Sequence, residues 1–194
     1  MTGIALGCAI MTSIGGPAVY AEGITGGRGM LAAMAPGSTT RPPSPAQQLA
    51  SFVAKYSPEI ARETRAALSR LGRLVPAGAV RLVYDNWNGL VVGFGPSDRA
   101  SDAVVSILVV ADHVTVCFIN DGPSLPDPHR LLKGSGSVVR HVRLSSARDL
   151  DGAPLKALVK AAVAQSDVPF PRAGRSRLIV KSISAKQRPR RSMP

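Results

Sequence analysis

Residues 80–120 read VRLVYDNWNGLVVGFGPSDRASDAVVSILVVADHVTVCFIN, and this stretch decides the fold. It contains four short runs rich in Val, Ile, Leu and Phe: Val80 to Tyr84, Leu90 to Phe94, Ala103 to Val110, and Val114 to Ile119. Between them lie clusters of turn-forming residues, Asp85-Asn86-Trp87-Asn88-Gly89, Gly95-Pro96-Ser97-Asp98 and Asp112-His113. Asn, Asp, Gly and Pro are favoured there because they tolerate or preset turn dihedrals. The pattern is that of consecutive strands. The connections are too short to hold a crossover helix, so neighbouring strands run antiparallel. Ala103 to Val110 is almost continuously apolar, as a central strand buried on both faces must be.

Outward from this stretch the period changes. Upstream, Ser44-Pro45 supplies a helix cap and a first-turn proline. Leu49, Phe52 and Val53 then follow at helical spacing, which predicts a helix over 44–55. Ser57-Pro58-Glu59 repeats the start signal. A second helix carries Ile60, Ala67, Leu68, Leu71 and Leu74 on one side, with Arg62, Arg65 and Arg70 largely on the other. Downstream, residues 120–129 form a proline-rich loop, Val138 to Leu144 a fifth strand, and Asp149 to Ala164 a helix with Leu150, Leu155, Leu158, Val159 and Ala162 as its apolar stripe. The predicted class is α+β: two N-terminal helices, a mostly antiparallel sheet of about five strands, and a C-terminal helix packed on one sheet face.

The ends differ from the middle in charge. Among 194 residues, 24 Lys and Arg against 12 Asp and Glu give a net charge of +12. Residues 1–40 hold only Glu22 and Arg28 and are neutral; residues 41–170 hold 15 basic and 11 acidic residues, giving +4. Residues 171–194 hold eight basic residues and no acid, so two thirds of the excess lies there. The domain expected over 44–166 is therefore only modestly basic. It is preceded by a low-complexity leader (1–43), expected to be disordered. It is followed by a basic extension (167–194) in which 178–183 adds a strand and Lys186 to Pro194 reads as disordered. Within the leader, Val19-Tyr20-Ala21 resembles a secretory cleavage site, although no Lys or Arg precedes the apolar stretch. No run of about 18 uninterrupted apolar residues exists, so no membrane contact is expected. Two cysteines, Cys8 and Cys117, make neither a disulfide framework nor a four-thiolate metal site.

Candidate sites lie in three places. Lys133-Gly134-Ser135-Gly136 is a glycine turn whose N–H groups and lysine suit an anion, or simply a turn entering a strand. In the strand that follows, alternation places Arg140 on one face with Val138, Val142 and Leu144. A guanidinium among apolar groups needs a carboxylate, with Asp85 or Asp121 the expected partner, or a ligand anion. His141 lies on the other face, where with Lys133 it forms a basic patch. Tyr84 and Trp87 are stacking candidates, and a pocket near Tyr84, Trp87 and Arg140 would hold a small anionic ligand or a protein segment. In the tail, Lys186, Arg188, Arg190 and Arg191 are candidates for non-specific nucleic-acid contact. No metal-ligand spacing, dinucleotide fingerprint or Ser/His/Asp order appears, so no cofactor or metal is expected and a binding module is favoured over an enzyme.

Leu125-Pro126-Asp127-Pro128, Leu131-Leu132-Lys133-Gly134-Ser135-Gly136 and Arg140-His141-Val142-Arg143-Leu144, with Tyr84-Asp85 and Trp87 after two helices, resemble the YdhG-like domain over roughly residues 44–166. The resemblance implies a small cytoplasmic α+β protein. Because some bacterial members resemble frataxin in role, it adds iron chaperoning as an alternative function. The residues depart from that role, since Glu59 and Glu63 stand among arginines and offer no carboxylate cluster.

Overall fold

A computed structural model describes residues 41–172 and 174–191. The expectations of a disordered leader and of cleavage after Ala21 fall on residues 1–40, outside the described residues.

Among the described residues, three α-helices pack on a six-stranded, mostly antiparallel sheet, the α+β architecture expected. Helix α1 (Pro45–Ala54) is opened by Ser44, whose hydroxyl accepts from Gln47 N, while the Gln47 side chain returns to Ser44 N. This reciprocal box satisfies two main-chain donors that a helix start otherwise leaves unpaired. Helix α2 (Pro58–Leu74) is capped by the Ser57 hydroxyl and buries Ala61, Thr64, Ala67 and Leu71. Tyr56 sits between the two helices, 1% exposed. Its hydroxyl donates to Val109 O at 3.0 Å and accepts from Leu90 N at 2.9 Å, pinning the helix pair to the sheet. Burial pushes its phenol up to about 12.

Strands β1 (Val80–Asp85), β2 (Leu90–Gly95), β3 (Val105–Val109), β4 (Val114–Phe118) and β5 (Arg140–Arg143) follow as consecutive antiparallel neighbours. Gly89 and Gly95 are required by space. A Cβ on Gly89 would strike Val109 O, and one on Gly95 would lie 2.6 Å from Asp102 O. Helix α3 (Ala153–Ala164) then crosses the sheet, and β6 (Leu178–Ile183) adds to the far edge in the order β5-β4-β3-β2-β1-β6. β6 runs parallel to β1 because residues 144–177 are long enough to carry the chain over the helical face.

Three boundaries differ from expectation. The third helix begins at Ala153, after a 3₁₀ turn over Ala147–Asp151, because Gly152 is extended and Pro154 fits only a first turn. β5 is shorter than 138–144. The chain beyond 166 contributes the sixth strand of the same sheet. Lys186 to Arg191, expected to be disordered, fold back on the β1–β2 turn, where Arg190 is only 6% exposed.

Under the helices, Phe52, Leu71, Phe94, Ile107, Phe118, Leu155 and Leu158 form the main core. The opposite sheet face carries a second apolar cluster, including Leu82, Tyr84, Val91, Leu108 and Cys117.

Candidate functional site

The pocket expected at Tyr84, Trp87 and Arg140 does not form. Tyr84 lies in β1 and Arg140 begins β5, with β2, β3 and β4 between them. Four strand spacings separate them by about 19 Å. Tyr84 is 4% exposed on the second sheet face, and burial pushes its phenol upward. Trp87 is exposed in the β1–β2 turn, and the Arg188 guanidinium lies 5.9 Å from its ring centre. Arg188 N donates to Trp87 O at 3.0 Å, so the returning tail supplies the stacking cation.

Arg140 meets neither Asp85 nor Asp121. Its Nη1 donates to the carbonyls of Gly136 and Val139. Asp121 accepts from Ser124 instead, and Asp85 lies on the far side of the sheet. The glycine turn therefore presents a carbonyl to the arginine. Lys133 pairs its main chain with His141 in a two-bond bridge, N to O at 2.8 and 2.9 Å. Gly134 takes a φ of +109°, which favours glycine, and Ser135 and Gly136 are exposed beside it.

His141 is half-buried. Desolvation, then the charges of His113 and Arg140, hold its imidazole below the usual 6.5. The unfolded chain thus binds that proton more readily than the folded one. The resulting stability is complete above pH 6.5 and is lost as pH falls through the folded-state value. Urea midpoints should fall between about pH 7 and 5, and His141→Gln should fall less steeply. Equal slopes for the two chains would remove this assignment.

The buried charge is organised elsewhere, around Asp85, which is 0% exposed at the end of β1. Lys55 Nζ lies 2.5 Å from Oδ2, Gln187 Nε2 donates to the same oxygen at 2.8 Å, and Arg190 Nη2 donates to Oδ1 at 3.1 Å. Arg190 also donates to Asn86 O and stacks over the Tyr56 ring at 5.7 Å. Arg190 is thus committed inside the fold. Of the four tail candidates it is withdrawn from solvent, whereas Lys186, Arg188 and Arg191 remain exposed.

One recess combines an apolar lining with cations lacking an acidic partner. It holds about 410 Å³ between α1 and α2, with Leu49, Val53, Leu68 and Val92 as walls. Arg81 reaches it from β1 and Arg65 from α2. Arg81 Nε is buried without a hydrogen-bond partner. Among the described residues no carboxylate stands within ion-pair distance of either guanidinium. Sequence reasoning passed over Arg81, although the argument applied to Arg140 holds for it equally. It interrupts Val80-Arg81-Leu82-Val83, and Arg81 and Val83 alternate onto the helical face.

A second cleft of about 340 Å³ holds Glu59, Glu63, Asp112, His113 and Arg143. Two of its three acids are engaged, Glu63 by Ala147 N at 2.7 Å and Asp112 by His113 and Arg143. Among the described residues no group of three or more His, Cys, Asp or Glu is placed to share a metal ion. No described helix is long and apolar enough to cross a membrane. No protein-family model, curated protein or solved structure matches this chain.

Proposed function

We propose that this protein is a small non-catalytic binding module for an anionic ligand with an apolar body, held between α1 and α2. The observation that carries the reading is Arg81, whose buried Nε has no partner at the floor of an apolar recess. Leaving a guanidinium donor desolvated and unpaired is costly, and a carboxylate entering the recess would supply the missing acceptor. Arg65 at the rim adds attraction, and the walls suit a short hydrocarbon chain. The YdhG-like resemblance of residues 44–166 implies a cytoplasmic protein and leaves this role open. Octanoate should bind in calorimetry and raise the melting temperature, while octanol binds far more weakly. Arg81→Gln should weaken octanoate binding about 10-fold or more, the loss of a charge-assisted hydrogen bond. Equal affinity of parent and variant would end the proposal.

A second reading rests on the exposed cations of the C-terminal segment, Lys181, Lys186, Arg188 and Arg191, with no acid after Asp167. These would contact nucleic-acid phosphates without sequence preference. Affinity for a random duplex should fall steeply with salt, and neutralising Lys186, Arg188 and Arg191 together should shallow the log–log slope by about 2–3. An unchanged slope would exclude this role.

A further inference from the structure

Residues 184–191 are stitched to the β1–β2 turn. Ser184 N donates to Asp85 O at 2.9 Å, Gln187 and Arg190 turn inward onto the Asp85 carboxylate, and Arg188 N donates to Trp87 O. This wrapping leaves Lys186, Arg188 and Arg191 exposed. Among the described residues none of the three has a carboxylate within ion-pair distance. Asp85 is already matched by Lys55 and Arg190. The surface around the turn is therefore more cationic than its own ion pairs use.

Beside these cations stands Trp87, the only tryptophan in the sequence, 45% exposed. Its carbonyl is held by Arg188 N, and the Arg188 guanidinium lies 5.9 Å from its ring centre. The ring is thus fixed at the turn while much of it stays open to solvent. An exposed aromatic ring among unmatched cations is the arrangement that binds an unpaired nucleic-acid strand: phosphates follow the cations and a base stacks on the ring.

We propose that Trp87, with Lys186, Arg188 and Arg191, forms a stacking platform for a single-stranded nucleic acid. Resting on the phosphate-contact reading of the tail cations, this platform adds the form of nucleic acid that binds. In a duplex the bases are stacked on one another, and the ring could reach one only by unstacking and unpairing it. In a strand each base offers a face, whatever its identity. The Asp85–Arg190 pair and the Arg188–Trp87 hydrogen bond order the segment before a strand arrives, so less ordering entropy is lost on binding. Ile183, exposed and in register with Asp85, adds apolar surface at the same end of the sheet. A lipid surface fits less well. Residues 184–191 hold Ala185 and Pro189 as their only apolar side chains, too few for the apolar face with which a segment enters a membrane surface.

Because Trp87 is the sole tryptophan, its emission reports the contact directly. The base face and phosphates recognised are common to DNA and RNA, and ten-residue oligothymidylate and oligouridylate sample the two. At low salt at least one of them should quench the emission to saturation and bind more tightly than a duplex of the same length. Trp87→Ala should weaken strand binding about 10-fold or more and leave duplex affinity unchanged, while Trp87→Phe recovers most of the loss. Salt-sensitive binding of duplex and strand without quenching in the parent would overturn the platform and leave the phosphate contacts standing. Absence of binding by either would overturn both. Equal loss of strand and duplex affinity in Trp87→Ala would make the ring a prop for the tail and overturn the platform. So would a blue shift of the emission with phosphatidylglycerol vesicles in the absence of any response to strands.

Discussion

Asp85→Asn destabilises the protein by about 3–5 kcal/mol, the cost of removing one partner from a buried ion pair. The carboxylate is fully buried and takes three side-chain partners, two of them cationic. Without it Arg190, 4% exposed at its side chain, keeps its charge in the interior, with Nε and Nη1 already lacking partners. Lys55 is 36% exposed at its side chain and can turn to water, so most of the loss belongs to Arg190. A double-mutant cycle separates the terms. Arg190→Met alone leaves Asp85 with Lys55 and Gln187, whereas in the Asp85→Asn background it removes an unpaired charge and recovers stability. Chemical denaturation of the four chains reads the result. A cost below about 1 kcal/mol for Asp85→Asn would mean that the tail does not hold its place in solution.

Phe118→Ala should cost about 3–5 kcal/mol by lost burial and by the cavity left behind. Phe118 is 0% exposed in β4, paired with Val105 and Arg140, in the core beneath the helices. For a chain of this size the melting temperature should drop on the order of 10 °C. Because Phe118 is remote from Arg81 across the sheet, octanoate affinity should be unchanged in the folded variant. A drop of only a degree or two would indicate a core loose enough to collapse around the lost ring.

The order of helices and strands, the caps at Ser44 and Ser57 and the turn at Asp85–Gly89 were legible because each depends on residues a few positions apart. Side-chain period, proline φ and glycine freedom act at that range. The sites were less legible. Arg140 and Arg81 are the same kind of signal, a guanidinium in an apolar strand. What separates them is the surrounding fold: Arg140 lies beside the carbonyls of Gly136 and Val139, and Arg81 lies under a gap between two helices. Nothing local could predict that difference.

The chain by itself determined an α+β domain, its strand boundaries to within a few residues, a strand over 178–183 and the position of its excess charge. Tertiary structure alone decided that β6 joins β1 in parallel, that Tyr84 and Arg140 stand with three strands between them, and that Arg190 crosses 105 positions to reach Asp85. The physical reason is range. Backbone propensity and hydrophobic period act within a turn or a strand. The partner of a buried charge is fixed only when the whole chain has closed and water has been removed from around it.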